Sequence, residues 1–248
     1  MLGRFLEISL PVTDILASLE FYERLGFTQA TTGESWPYPY AVVGDGRLFI
    51  GLHQATLPGP TVTYVQPDLA FHVARLEHNG LEAASTVLGS ENFNRATFVD
   101  PAGQHLLLVE ARTFSPPPEP CPESLCGYFS ELGVPVREFG PLEAWWEALG
   151  FVALEPVDEP FVRQTLTSDR LNIGLYRTRA WRQPVLTFED TDMKRRLDLL
   201  RRRGVPLSDE MPDALDAGEN AVLVAPEGTR LLLMTAGTAD PIQRTGIQ

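Results

Sequence analysis

Two glutamates, Glu7 and Glu131, stand 124 residues apart in segments where apolar and polar residues alternate as in a strand. A carboxylate that points into a cleft can accept a hydrogen bond from a ligand, or act as a general base where apolar walls raise its pKa. The alternative is a glutamate at a strand edge that faces solvent. Because the residue type recurs where few identities survive, the spacing favours the cleft for both glutamates.

The four histidines divide into two pairs. His72 and His78 fall in a predicted helix, where they are expected to be exposed or to pack against the sheet. His53 and His105 fall in predicted strands, on the face that alternation gives to a cleft. For this second pair, a ligand-contacting role and a plain strand-end position are equally compatible with the sequence.

Aromatic residues accompany these groups. Trp36, Tyr38 and Tyr40 cluster before the third predicted strand, and Tyr176 and Trp181 occupy the corresponding region of the second half. Concave binding sites are usually lined by aromatic surface with few polar groups. Packing between neighbouring strands would explain the same cluster, so both interpretations stay open.

The sequence lacks the motifs of several other kinds of functional site. No Gly-rich phosphate loop precedes a predicted helix, and there is no Gly-x-Ser-x-Gly elbow or Cys-His nucleophile pair. The two cysteines, Cys121 and Cys126, lie in a Pro-rich segment with no histidine nearby. A zinc site or a disulfide framework is therefore not predicted.

Charge and composition restrict the partners. The 248 residues carry 33 Asp and Glu against 20 Lys and Arg, a net charge of −13 that disfavours nucleic acid and anionic membranes. The one basic run, 194–203, interleaves with leucines at helical spacing and predicts the solvated face of an amphipathic helix. With no apolar stretch of about 18 residues and no charged leader, we expect a cytoplasmic protein without membrane contact.

The chain repeats itself at an offset of 124 residues, which takes Leu25-Gly26-Phe27 to Leu149-Gly150-Phe151. A weaker repeat of 54 residues lies inside each half, and it takes Gly26 to Gly80 and Gly150 to Gly204. The predicted organisation is therefore two domains, at 1–112 and 125–237, of two modules each. A Pro-rich linker at 113–124 and a C-terminal tail at 238–248 complete the chain.

Each module is predicted to run β-α-β-β-β. In the first, a strand precedes a helix that begins after an N-cap at Thr13 and ends at Gly26. By the repeat, Gly80, Gly150 and Gly204 should end the other three helices. The later modules are expected to show a strand at 81–88 and turns at 100–103 and 225–228.

These motifs resemble the vicinal oxygen chelate superfamily, the glyoxalase, bleomycin-resistance and extradiol-dioxygenase group. The similarity lies in Pro11-Val12-Thr13-Asp14, in the segment from Ser18 to Phe27, and in Asp100-Pro101-Ala102-Gly103-Gln104. It implies an α+β fold of glyoxalase-like paired βαβββ modules, with four modules in two domains and an open half-barrel in each. This fold hosts many reactions as well as binding proteins without catalysis, so it predicts no single activity.

Catalytic members of the superfamily hold a divalent metal with histidine and glutamate at four strand positions. Those positions fall here on Glu7, Gly51, Thr61 and Leu107 in the first half. In the second half they fall on Glu131, Gly174, Val185 and Leu232. One carboxylate in each half is too few for tight binding, so we expect no metal and no cofactor.

The sequence therefore favours a metal-independent binding protein, of a sequestering or resistance type, for an apolar or aromatic small molecule. The alternative is a lyase or isomerase of the same superfamily that uses Glu7 as a base or an unrecognised metal site, so catalysis stays an open question. A monomer or a homodimer is expected. The residues expected to line the clefts are Glu7, Ser9, Trp36, Tyr38, Tyr40, Gly51, His53, Thr61, Thr63, His105 and Leu107, and then Glu131, Gly174, Tyr176, Trp181, Val185 and Leu232.

Overall fold

The structure, a computed structural model, describes residues 2–117, 120–208 and 210–236. The predicted C-terminal tail, 238–248, lies outside the described residues. Within them, no helix is both long enough and apolar enough to cross a bilayer.

The first half alternates strands and helices in two modules and ends on a short ninth strand. Its elements are β1 (Arg4–Pro11), α1 (Ile15–Arg24), β2 (Thr28–Thr32), β3 (Tyr40–Gly44), β4 (Phe49–His53), β5 (Thr61–Val65), α2 (Leu69–His78), β6 (Ser85–Val87), β7 (Arg95–Val99), β8 (His105–Val109) and β9 (Phe114–Ser115).

The second half repeats the order with one strand fewer in its last module, where Ser208 makes only an isolated bridge to Val222. Its elements are β10 (Tyr128–Pro135), α3 (Gly140–Ala148), β11 (Val152–Ala153), β12 (Arg163–Thr167), β13 (Asn172–Tyr176), β14 (Val185–Asp190), α4 (Met193–Arg202), β15 (Ala221–Val224) and β16 (Arg230–Thr235).

The strands form two mixed sheets. One has the order β6-β7-β8-β5-β1-β4-β3-β2-β9 and the other the order β11-β12-β13-β10-β14-β16-β15. In each, the first strand of the half runs parallel to one neighbour and antiparallel to the other: β1 with β4 and β5, β10 with β13 and β14. The predicted α+β fold of open half-barrels is confirmed.

The helix ends follow the prediction. Gly26, Gly80, Gly150 and Gly204 each come two residues after a helix and each have positive φ, between 70° and 97°. A residue with a Cβ rarely adopts this conformation, which closes the last helical turn. The N-cap prediction was one residue off: the Asp14 carboxylate, and not Thr13, accepts from the backbone N–H groups that begin α1.

Two further expectations need correction. The strand predicted at 81–88 is only the three residues of β6, because residues 81–83 form no strand and the Leu81 N–H bonds to the carbonyl of Leu76 in α2. The segment predicted as a linker contributes β9, whose Phe114 and Ser115 pair with the end of β2. The basic helix is largely as predicted: Met193, Leu197 and Leu200 of α4 are buried, and its cations are exposed except Arg196, which pairs with Glu123 and Asp190.

The two halves share one hydrophobic core on the helix side of the sheets, to which Ile8 and Leu10 of β1 contribute. Polar contacts between the halves follow the repeat. Trp146 Nε1 of α3 donates to Asp100 Oδ2 at 3.0 Å, and Tyr22 of α1 donates to Glu227 Oε1 at 2.7 Å. Tyr22 and Trp146 are separated by the repeat offset, so each half inserts the same helix position against a turn of the other.

Candidate functional site

Glu7 lies on the sheet face opposite the shared core, which we call the first concave face. A β-bulge between Phe5 and Glu7 sets its register against Thr63 of β5. Only 1% of the residue is exposed. The solvent-facing alternative for Glu7 is therefore wrong, while a role of its carboxylate in a ligand cleft stays a prediction.

Three side chains donate to the Glu7 carboxylate. Ser9 Oγ lies 2.7 Å from Oε1, Tyr40 Oη 2.6 Å from Oε2, and His53 Nε2 2.9 Å from Oε1. Because a carboxylate only accepts, the contact with Oε1 places a proton of His53 on Nε2. Tyr38 Oη lies 3.2 Å from Nδ1 and completes a line from phenol through imidazole to carboxylate.

The network continues through two threonines. Thr63 Oγ1 lies 2.8 Å from Ser9 Oγ, and Thr113 Oγ1 lies 2.9 Å from Tyr40 Oη. Buried polar side chains that all have hydrogen-bond partners are held rigidly in one arrangement. We call this set the first polar network; its members are Glu7, Ser9, Tyr38, Tyr40, His53, Thr63 and Thr113.

Gly51 makes room for the network. It pairs with Ser9 across the sheet, and a Cβ at Gly51 would overlap the Glu7 carboxylate. In the second half, a Cβ at Gly174 would lie 2.6 Å from Glu131 Cδ. The glycine that recurs at this position therefore provides the volume for the glutamate that recurs beside it.

Aromatic side chains cover the first polar network. Trp36 stacks on Tyr38 with ring centres 5.6 Å apart, and its edge contacts with His53 and Phe93 lie at 5.5 and 5.3 Å. The buried Nε1 of Trp36 has no hydrogen-bond partner among the described residues. Buried donors are nearly always paired, so this N–H marks a place where an acceptor is expected.

Burial raises the pKa of the phenols in this site. The pKa of Tyr38 rises to about 12, mainly through desolvation, with Arg95 opposing the shift and Glu7 adding to it. Burial and the neighbouring Glu7 raise the pKa of Tyr40 as well. Both hydroxyls are therefore neutral at physiological pH and can donate.

The second half builds a related network around Glu131, which follows the same bulge and pairs with Thr187. Tyr176 Oη donates to Glu131 Oε1 at 2.7 Å, and Thr165 Oγ1 donates to Oε2 at 2.8 Å. Arg163 Nη1 lies 3.6 Å from Oε1. A phenol thus takes the place of His53, and Arg163 takes the place of Tyr40.

We call the face that carries Glu131 the second concave face. It is filled by the side chains of the second half. Trp181, Leu215 and Met234 form a buried cluster with Tyr176, and Phe161 stacks edge-on against Tyr176 at 4.9 Å. Val185 and Leu232, predicted to line a cleft, are also members of this cluster. Burial raises the pKa of Tyr176 well above its ordinary value, so this phenol stays protonated.

Three residues predicted for the first cleft lie beside the network. Leu107 packs in the apolar cluster of the first concave face. Thr61 and His105 pair with each other one step along the sheet, and Thr61 donates to the carbonyl of Pro58. His105 keeps a buried Nδ1 without a hydrogen-bond partner among the described residues.

Solved structures with the same architecture include extradiol dioxygenases. A catechol 2,3-dioxygenase matches with a TM-score of 0.59 at 10% identity over 95% of this chain and 93% of its own. The 2,3-dioxygenase LapB of a Pseudomonas species matches with 0.62 at 14% identity, over 98% and 96%. A 2,2',3-trihydroxybiphenyl 1,2-dioxygenase of Sphingomonas wittichii matches with 0.60 at 16% identity, over 96% and 91%.

The chain has the vicinal oxygen chelate fold. The resemblance inferred from its motifs is confirmed at this level, across both halves. No protein-family model and no curated protein sequence matches it significantly.

A metal does not fit either site of this vicinal oxygen chelate fold. Among the described residues, no group of three or more His, Cys, Asp and Glu could hold an ion. In the first network Glu7 and His53 are the members of these four residue types, and they are hydrogen-bonded to each other. A divalent cation would have to displace the donors on Glu7 and would gain two ligands of these types.

Some members of the two networks were not predicted from the sequence. They are Thr113, which follows the predicted domain, and Arg163 and Thr165 of β12; Phe93 and Phe161 of the aromatic cover were missed too. The repeat could have revealed Arg163: in this region its offset is 123 residues, as Arg47-Leu48 and Arg170-Leu171 show, and Arg163 stands 123 residues after Tyr40. Thr113 has no counterpart that would have marked it.

Proposed function

We propose that the chain is a metal-independent binding protein for a hydroxylated aromatic small molecule, held on the first concave face. One observation carries this proposal. Polar groups that already have hydrogen-bond partners form the base of the site (the floor), and the aromatic side chains that cover them (the wall) include one buried donor without a partner among the described residues. The floor is the Tyr38–His53–Glu7 line, and the donor is Trp36 Nε1. Specific small-molecule sites commonly combine apolar walls with a few fixed polar groups.

The wall can open without breaking a strand. Trp36 and Tyr38 lie in the irregular segment 33–39, and Phe93 lies in the irregular segment 88–94. A planar ligand ring inserted between Phe93 and Trp36 would contact both side chains, and these two contacts would replace the single contact between Phe93 and Trp36. The second concave face is less suited, because Phe161 and Trp181 already pack on Tyr176.

The polar groups suggest the ligand's chemistry. A ligand oxygen can accept from Trp36 Nε1, and a ligand hydroxyl can hydrogen-bond to the Tyr38 hydroxyl, which lies beside His53 Nδ1. Both features belong to a phenol or a catechol. The names of structurally similar enzymes include catechol and trihydroxybiphenyl, which makes such compounds suitable first probes.

A second candidate is a lyase or isomerase that uses acid–base chemistry at His53. The unbroken Tyr38–His53–Glu7 line favours it, because a carboxylate behind an imidazole fixes the tautomer and the orientation of the ring. In this candidate Glu7 positions His53 and is not itself the base, since its carboxylate is buried under three donors.

The unpaired thiols of Cys121 and Cys126 agree with the proposed cytoplasmic location.

Calorimetry with catechol and dihydroxybiphenyl in the presence of a chelator tests the proposal. Ligand at about 100 times its Kd should raise the free energy of unfolding by roughly 2.7 kcal/mol. Trp36→Phe keeps a ring but removes the unpaired N–H, and it should weaken binding about tenfold. Trp181→Phe is the matched control, because its Nε1 is also buried without a partner in the described chain but lies in the second half.

Three outcomes would count against a binding protein of this kind. Absence of binding by any phenol overturns the proposed ligand class. An equal loss in Trp36→Phe and Trp181→Phe overturns the proposed location. Recovery of a chemically changed compound, with turnover lost in His53→Gln, would favour the enzyme.

A further inference from the structure

A groove of about 930 Å³ opens on the second half, and none of its lining residues belongs to either polar network. It lies at the carboxyl ends of β10 and β13, which are parallel neighbours and so end at the same edge of the sheet. Four arginines line it: Arg137, Arg177, Arg179 and Arg182. No acidic residue of the described part of the chain lines it.

This clustering of positive charge is unexpected in a chain with a net charge of −13. Four arginines elsewhere in the described chain pair with carboxylates: Arg163, Arg196, Arg201 and Arg230. None of the four groove arginines forms an ion pair with any residue that the structure describes. Like charges in one groove repel each other, and a bound anion would relieve that repulsion.

The groove also has apolar walls and one oriented cation. Pro135, Val136 and Trp181 contribute apolar surface. The guanidinium of Arg177 stacks over the ring of Phe139 at 4.7 Å, which limits its orientations. A stacked guanidinium keeps its edge free for two parallel hydrogen bonds to a carboxylate or a phosphate.

The groove continues toward the first half. Pro135 and Arg182 also line an adjoining groove of about 300 Å³, together with residues 58–60 and His105 of the first half. His105 is the residue whose buried Nδ1 lacks a partner in the described chain. An elongated ligand anchored on the arginines could therefore reach a second, neutral polar group.

We propose that the arginine groove binds a small organic anion with at least two negatively charged oxygen groups, phosphates or carboxylates. The inference is independent of the aromatic ligand proposed above, because it uses none of the residues of the first polar network. A long polyanion such as nucleic acid is disfavoured, since the remainder of this acidic surface would repel the phosphates beyond the groove.

Titration calorimetry at low ionic strength tests this with four probes: inorganic phosphate, pyrophosphate, citrate and a short single-stranded oligonucleotide. Pyrophosphate or citrate should bind about tenfold more tightly than inorganic phosphate, because two charged groups engage two guanidinium pairs. A preference between pyrophosphate and citrate distinguishes a phosphate ligand from a carboxylate ligand.

The variant R179Q/R182Q should weaken binding of the preferred probe about tenfold or more. The matched control is R195Q/R202Q on α4, which removes two exposed arginines that have no ion pair with a described residue. This control should bind within about twofold of the parent chain. The proposal is overturned if no small anion binds, if the oligonucleotide binds most tightly, or if both double variants lose affinity equally.

Discussion

His53 Nε2 lies 2.9 Å from Glu7 Oε1, with 2% and 1% of the two side chains exposed. The equivalent pair in the second half is Tyr176 Oη and Glu131 Oε1 at 2.7 Å. A glutamate in each half is therefore held by a ring from the strand that runs parallel to its own. Imidazole in one half and phenol in the other give the two networks different chemistry on the same geometry.

Glu7→Gln should lower the free energy of unfolding by about 1.5 to 3 kcal/mol, because an amide cannot accept from three donors. Urea denaturation followed by circular dichroism measures the change. Glu20→Gln, at an exposed position of α1, should change it by less than about 0.5 kcal/mol. Equal stability of Glu7→Gln and the parent chain would mean that the network contributes little to the fold.

Gly51→Ala should cost more than about 2 kcal/mol, since its Cβ would overlap the buried Glu7 carboxylate. Gly140→Ala is the control: a Cβ there meets nothing within 4 Å, and Gly140 is the first residue of α3. That change should be neutral or slightly stabilising, because alanine favours helix. Similar stability of the two variants would show that Glu7 moves aside at little cost.

Alkaline pH should destabilise the fold. Burial raises the pKa of Tyr38 to about 12, and it also raises the pKa of the buried phenols of Tyr22, Tyr40, Tyr64 and Tyr176. Unfolded tyrosines lose their protons near pH 10, so the native state holds more protons above that pH. Stability should therefore fall as the pH rises from about 10 toward 12.

Tyrosinate absorbance measures this effect. The native chain should show a smaller rise at pH 10 to 11 than the urea-unfolded chain, with the difference reduced in Tyr38→Phe. Coincident titration curves for the native and unfolded chains would contradict the burial of these phenols.

Trp146→Phe should lower the free energy of unfolding by about 1 to 3 kcal/mol, because it removes volume and the hydrogen bond to Asp100. The neighbouring Trp145 is only partly buried, so Trp145→Phe should cost less. Both variants should still unfold in one transition, since the two halves share a core. Two separated transitions in calorimetry would show that the halves are energetically independent.

The repeat allowed the central glutamates to be predicted, because two positions that keep one residue type 124 apart share one environment. Strand alternation placed His53 on the same face of the sheet as Glu7, but it could not predict that the two side chains touch. Its contact with Glu7 depends on the long glutamate side chain and on the space at Gly51, and neither follows from periodicity.

The aromatic side chains that cover the two concave faces could not all be predicted from the sequence. Phe93, Phe161 and Trp181 come from irregular segments, whose residues carry no periodic signal for the direction of a side chain. The arginine groove was missed for the same reason: Arg177, Arg179 and Arg182 lie in the loop between β13 and β14 and meet Arg137 only through the fold.

The metal content of the purified chain tests most directly the claim that hydrogen bonds from Ser9, Tyr40 and His53, and not a metal ion, hold the Glu7 carboxylate. Elemental analysis of protein produced with added iron, manganese, zinc and nickel should find each metal well below one atom per chain. Glu7→Gln should give the same result. About one bound atom per chain, lost in Glu7→Gln, would contradict the account, because the first concave face would then be a metal site.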